Sequence, residues 1–171
     1  DVQIGVWRGL GQNHQLDGIV PRDPETGSLF VNIDESLADR QPTRYRMTVA
    51  EELGHIVLHR EIIDRIESVD DFRALQSHPE YRHIERNAKR FGAAILMPGD
   101  LVLQHAERIY PRLVGVVGFT NVEAINKHLC SELAKRFEVS FTAMHLRLGE
   151  WPARVYQRVD ESFEARLPYL G

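Results

Sequence analysis

The feature that most constrains the fold of this chain is a helical run that carries acidic and histidine side chains. Over residues 44–60 the apolar residues recur at helical spacing, at Val49, Ala50, Leu53, Ile56 and Val57. Thr43 is predicted to cap this helix at its start. On the polar side, Glu51, His55 and His59 are spaced four residues apart and project from one face, with Glu52 beside them.

The order of these polar residues is close to the zinc-peptidase pattern H-E-x-x-H. In that pattern the two histidines bind the metal and the glutamate between them acts as general base. Here the pattern is E-E-x-x-H, in which Glu52 stands at the position of the base and His55 at that of the second ligand. Glu51 occupies the position of the first ligand. The sequence therefore predicts a peptidase-like centre with an altered ligand set.

The rest of the chain predicts an α+β fold, with a small N-terminal hairpin or sheet packed on a mainly helical body. The first forty residues favour β structure with turns, including a hairpin formed by residues 18–20 and 28–33. Residues 61–80 are charged and weakly periodic, and they are predicted to form a loop with at most one short helical turn. Further helices are predicted over residues 81–96, 100–110, 121–137 and 139–148, with Asp100 and Asn121 as N-caps.

Composition excludes several classes of protein. The chain has 171 residues, which is room for one domain or for one domain with a short appendage. Its formal net charge of −4 argues against a dedicated nucleic-acid or anionic-membrane binder. No apolar run reaches the ~18 residues of a transmembrane helix. Cys130 is the single cysteine and no signal peptide is recognised, so a cytoplasmic location is expected. The chain starts without an initiator methionine, and we expect an N-terminal element to be missing.

The chain resembles the ImmA/IrrE-type zincin-like metallo-endopeptidases. The resemblance rests on the helix RMTVAEELGHIVLH, the later helix ERNAKRFGAAILMP and the hairpin that ends in VNID, and it spans residues 17–148. It implies a zincin-like domain over residues 1–150, followed by a C-terminal tail at 151–171. Family members usually begin with an extra helix, which this chain is expected to lack.

Carrying the zinc site over by this resemblance puts the first ligand on Glu51, the base on Glu52, the second ligand on His55 and the third on Asn87. A carboxylate is an acceptable zinc ligand, but the neutral amide of Asn87 is a poor one. His83 and His59 are possible substitutes. We therefore expect a degraded zinc site, with zinc as the implied cofactor if any is bound. Without a metal, the adjacent carboxylates would need a basic partner to stay charged, and Lys89 and Arg90 are the candidates.

The resemblance also implies a function. It suggests a regulatory protein of bacteria or their mobile elements, which acts on a repressor or another protein partner. With the altered site, a non-catalytic relative is favoured over an enzyme. The alternative is an active zinc metallo-endopeptidase with non-standard ligands.

A second segment has features of a DNA-binding motif. Residues 133–148 resemble a helix-turn-helix, with Glu138 where glycine is usual in the turn. Thr142, His145 and Arg147 are the polar side chains it could offer to bases and phosphates. Packing of these helices on the domain core is the favoured interpretation, and DNA is not expected as a partner; the alternative is a DNA-associated regulator.

Overall fold

A computed structural model of the chain describes residues 2–115, 121–150 and 154–164, and it contains two compact units, residues 1–96 and 97–171. The first unit holds a small sheet and the helix with the E-E-x-x-H pattern. The sheet and the mainly helical composition confirm the predicted α+β fold class. The expected division into a domain over residues 1–150 and a tail over 151–171 remains a prediction. No helix in the described ranges has the length and apolar character needed to cross a membrane.

The sheet has three strands, β1 (Val2–Trp7), β2 (Gly18–Ile19) and β3 (Leu29–Asp34), in the order β1-β3-β2. β1 runs parallel to β3, and β2 pairs with β3 in the antiparallel sense, which confirms the predicted hairpin. Leu29, Val31 and Ile33 alternate along β3 and are fully buried. Because alternate residues of a strand point to the same face, these three side chains place one face of β3 against the core.

Six helices belong to the first unit: α1 (Leu10–His14), α2 (Glu35–Arg40), α3 (Pro42–Leu58), α4 (Arg60–Ile63), α5 (Val69–Gln76) and α6 (Tyr81–Leu96). The prediction of a loop over residues 61–80 is wrong, since α4 and α5 fall there. α5 starts with a capping box in which Ser68 N donates to the Asp71 carboxylate at 2.9 Å and Asp71 N donates to Ser68 Oγ at 3.2 Å. The predicted Thr43 cap is also wrong, because α3 already begins at Pro42, whose ring presets the helical φ.

The second unit contains α7 (Gly99–Gly115), α8 (Val122–Phe137), α9 (Phe141–Gly149) and α10 (Val155–Glu164). Asn121 caps α8 as predicted, whereas Asp100 lies in the first turn of α7 rather than before it. α7 is longer than expected and includes Pro111. α10 falls within the predicted tail, and its Val155 and Val159 are buried. Residues 151–153 and 165–171 of that tail lie outside the described residues.

Two glycines let α3 and α6 approach each other closely. A Cβ atom at Gly54 would lie 2.9 Å from the carbonyl oxygen of Ala88, and one at Gly92 would lie 3.0 Å from the backbone nitrogen of Glu51. The distance at Gly54 is too short for any Cβ atom, and that at Gly92 is at the limit, so the two helix backbones lie against each other. This approach brings the polar face of α3 next to the N-terminal half of α6.

A buried carboxylate organises the end of β3. Asp34 accepts hydrogen bonds from the backbone N–H of Gly11 at 2.6 Å and of Ser36 at 3.0 Å, and from the Ser36 hydroxyl. Burial opposes its ionisation, but these hydrogen bonds outweigh burial and hold its pKa below the ordinary value. Asp34 thus caps α2 and ties α1 to the sheet.

We expect Gly92→Ala to lower the free energy of unfolding by about 1–3 kcal/mol, because the new methyl group would press on the α3 backbone. Alanine forms helices better than glycine, so helix propensity alone would raise the free energy of unfolding. A decrease therefore reports the contact with α3. Gly149→Ala is the matched control, since a Cβ there meets no atom within 4 Å. Urea unfolding of both variants measures the difference, and an unchanged Gly92→Ala would contradict the close packing.

Asp34→Asn should lower the free energy of unfolding by about 1–3 kcal/mol at pH 7, since a buried hydrogen-bonded charge is lost. The pKa of this carboxyl is lower in the folded state than its ordinary value in an unfolded chain, so the stabilisation is present above that ordinary value. It is lost as the pH falls through the folded pKa. Unfolding measured at pH 7 and at pH 3 should therefore show the variant approaching the parent at the lower pH. Asp39→Asn, exposed on the same helix, should change little at either pH.

Candidate active site

The E-E-x-x-H residues lie in the second half of α3. Four-residue spacing puts Glu51 and His55 one turn apart on the same face, and Glu52 sits beside them. His55 is buried, whereas both glutamates are partly buried. A buried imidazole and two carboxylates at a helix surface require polar partners, and α6 supplies them.

The partner of His55 is Glu85 on α6. The His55 Nε2 atom lies 3.2 Å from Glu85 Oε1, and only 9% of the histidine side chain and 25% of the glutamate side chain are exposed. The other carboxylate oxygen of Glu85, Oε2, lies 3.6 Å from Lys89 Nζ, one turn further along α6. The centre is thus a chain of imidazole, carboxylate and ammonium groups that joins the two helices.

Tyr81 extends this chain toward α5. Its hydroxyl group hydrogen-bonds to Glu85 and interacts with the side chain of Gln76. Its ring packs edge-on against Phe72, with ring centroids 6.2 Å apart. The segment predicted as a loop therefore supports the candidate site from the side.

The charges of the site are strongly coupled. Burial raises the pKa of Glu52 to about 7, against the opposing effect of His55 and with the support of the Glu85 and Glu51 carboxylates. Burial also raises the pKa of Glu51, although Lys89 opposes this. A carboxyl group that titrates near pH 7 can accept or donate a proton under neutral conditions. This is the chemistry that a general base at the position of Glu52 requires.

The pKa shifts of Glu51 and Glu52 follow the direction that burial causes. Those of His55 and Glu85 go against it. Burial disfavours the charged imidazole, but the hydrogen bond to Glu85 and the nearby carboxylates raise the pKa of His55. Burial likewise disfavours the Glu85 carboxylate, but hydrogen bonds from His55 and Tyr81 and the charge of Lys89 lower its pKa. The pair therefore favours an imidazolium–carboxylate ion pair.

The sheet closes the site beside Glu52. A Cβ atom at Gly18 of β2 would lie 2.7 Å from Glu52 Oε1 and 2.8 Å from Thr48 Cγ2. Only glycine lets this strand approach the helix so closely while the Glu52 carboxylate keeps its place.

Of the other predicted site residues, the structure places His59 next to His55, but not Asn87 or His83. Asn87 and His83 are exposed on α6, each two residues from Glu85 and so on roughly the opposite side of the helix. The ring of His59 interacts with the backbone carbonyl of Ile84, and its centroid is 5.9 Å from that of His55. Sequence reasoning missed Glu85. A carboxylate four residues before Lys89 and next to the apolar stripe of α6 was the available signal.

The side chains around His55 only partly match the requirements of a zinc site. His55 Nε2 and Glu85 Oε1 are 3.2 Å apart, near the roughly 3.4 Å that separates two ligands of a tetrahedral zinc at ordinary bond lengths. However, nowhere in the described ranges are three His, Cys, Asp or Glu side chains grouped so as to hold a metal ion. A zinc site needs at least three protein ligands, so the residues as placed do not fit zinc. The roles of Glu51, His55 and Asn87 as metal ligands, and of Glu52 as catalytic base, remain predictions.

This arrangement, an E-E-x-x-H helix packed on a second helix and covered by a short edge strand, defines a metallopeptidase-like domain. Comparison with protein families agrees. Residues 17–149 match the family described as the IrrE N-terminal-like domain, a family of peptidases, and the chain belongs to it. A search of curated proteins found no significant match.

The geometry predicts how a zinc site could be restored. Glu51→His would add an imidazole at the first ligand position, and with His55 and Glu85 it would complete a set of two histidines and a glutamate. We expect the zinc affinity to rise by about tenfold or more relative to the parent, measured by competition with a chromophoric chelator. Asn87→Glu is the control, since it adds a carboxylate on the far side of α6 and should give no gain. A gain in Asn87→Glu alone would contradict the assignment of Glu85 to the site.

Proposed function

We propose that this protein is a non-hydrolytic member of its family, a regulatory protein that binds a repressor or another protein partner through a peptidase-like domain. The observation that carries this proposal is the balance of charge at the centre. Glu85 is paired with His55 and with Lys89, so its carboxylate is neutralised by the protein's own groups.

The altered first ligand position supports the same proposal. Glu51 adds a third carboxylate where the zinc-peptidase pattern has a neutral imidazole, and burial raises its pKa. The charge of Lys89 is the main effect that favours its ionised form. From the sequence we expected these carboxylates to need a basic partner, and the position of Lys89 is consistent with that expectation.

A partner protein, rather than DNA, is the occupant we propose. Of the three polar side chains considered for DNA contacts, Arg147 donates to the Met97 carbonyl at 2.9 Å and lies 3.4 Å from Glu150. His145 is 2.7 Å from the Tyr156 hydroxyl. Only Thr142 is left, while Glu138 takes the left-handed conformation of the turn at φ 53°. These internal contacts weaken the proposal of a DNA-associated regulator.

A second candidate function is a zinc metallo-endopeptidase that uses Glu51, His55 and Glu85, whose side chains would first have to rearrange, because as placed they do not form a three-ligand set. The spacing of His55 and Glu85 favours it, since two zinc ligands would lie at nearly the same separation. Glu52, with a pKa of about 7, would then be in place to act as the base.

Metal content separates the two candidates. Protein purified without chelators and then supplied with zinc should hold far less than one zinc per chain by mass spectrometry, and His55→Ala should hold the same amount. Hydrolysis of a labelled protein substrate should be absent, and neither EDTA nor Glu52→Gln should change the background rate.

About one zinc per chain that is lost in His55→Ala would overturn the proposal in favour of the peptidase. Hydrolysis that stops with EDTA and in Glu52→Gln would do the same. Circular dichroism of both variants controls for loss of fold.

A further inference from the structure

A row of cationic side chains runs along the solvent side of α6. This basic face consists of Arg82, Arg86, Lys89 and Arg90, all exposed. The three arginines repeat every fourth residue, so they lie on one side of the helix at steps of about 6 Å. Four of the chain's 21 lysine and arginine residues thus fall within one helix of 16 residues, whose single acidic residue is Glu85.

Within the part of the chain that the structure describes, the three arginines of the basic face have no counter-ion. Among the described residues, Lys89 pairs with Glu85, but Arg82, Arg86 and Arg90 take part in no ion pair or side-chain hydrogen bond. Some exposed arginines elsewhere pair, as in the Arg8–Glu35 contact at 3.2 Å and the Arg60–Asp64 contact at 2.8 Å. What distinguishes the basic face is that its arginines stand in one row along a single helix. Like charges one helical turn apart repel each other weakly, and an anion bound along the row would relieve this repulsion.

We propose that the basic face of α6 binds an acidic segment of a protein partner. That the partner is a protein rests on the function proposed above. Guanidinium groups bind carboxylates through paired hydrogen bonds, and their spacing of one helical turn matches carboxylates four residues apart on an acidic helix. The chain's net charge of −4 disfavours long-range attraction of a duplex, so a short acidic segment fits better than DNA.

The basic face also adjoins the candidate active site. Lys89 belongs to the basic face and is paired with Glu85, the carboxylate bound to His55. An acidic segment held along α6 would therefore lie beside the peptidase-like centre, and its carboxylates would compete with Glu85 for Lys89. Partner recognition and the charge balance of the centre are thereby linked through one side chain.

The test uses the whole chain and a fluorescent helical peptide with glutamate at every fourth position, followed by fluorescence anisotropy. The variant Arg82→Gln/Arg86→Gln/Arg90→Gln should bind about tenfold more weakly than the parent, equivalent to about 1.4 kcal/mol. The control Arg40→Gln/Arg65→Gln/Lys127→Gln removes the same charge from exposed positions outside the basic face and should bind within about twofold of the parent. Parent binding should weaken as salt is raised.

An equal loss in both variants would overturn the proposal, because net charge alone would then explain binding. Failure of the peptide to bind would overturn it too, as would tighter binding of a DNA duplex that depends on the same three arginines. If the protein holds about one zinc per chain and still binds the peptide, the proposed function would be refuted, but the proposal that the basic face binds an acidic segment would stand. Unfolding curves of the two variants exclude loss of fold as the cause.

Discussion

The close contact of α3 with α6 is the constraint on which the candidate site depends. Gly54 and Gly92 each leave room for the backbone of the other helix, since a Cβ atom would meet main-chain atoms at 2.9 Å and 3.0 Å. Main-chain atoms cannot move aside as the end of a flexible side chain can. The resulting short distance between the helices is what allows His55 of α3 to reach Glu85 of α6 at 3.2 Å.

Charge compensation is the second constraint, and it follows from the first. Bringing Glu51, Glu52 and Glu85 around one imidazole places three carboxylates in a partly buried region, where Glu85 raises the pKa of Glu51, and Glu85 and Glu51 both raise the pKa of Glu52. This negative charge is compensated at Glu85 by the Lys89 ammonium, the Tyr81 hydroxyl and the protonated form of His55. Glu85 is stabilised as an anion in this way, whereas Glu52 is left with a pKa near neutrality. A metal ion would supply the same compensation from outside, which is why metal content decides between the two candidate functions.

Local sequence patterns were sufficient for the main helices and the hairpin. α3, α6 and the pair β2–β3 were predicted because apolar periodicity and turn residues act over a few neighbouring residues. The segment 61–80 was predicted wrongly as a loop. Its α5 has a polar composition, and Ser68 with Asp71 forms a capping box that the apolar pattern does not reveal. Phe72 of α5 then packs against the sheet core, a contact between residues far apart in the chain.

In the candidate site, too, some features follow from local sequence and others only from tertiary packing. The sequence by itself determined that Glu51, Glu52 and His55 share one side of a helix, since 3.6 residues per turn leaves no other arrangement. It also determined membership of the IrrE N-terminal-like family, through motifs that can be read residue by residue. Only the tertiary structure decided which side chain of α6 faces His55. A shift of two residues, from Asn87 to Glu85, turns a side chain by about 160° around the helix. Helix packing sets that rotation, because it depends on which glycine and alanine surfaces meet. The place of Glu85 next to the apolar stripe of α6 points toward the core but does not say which residue of α3 it meets.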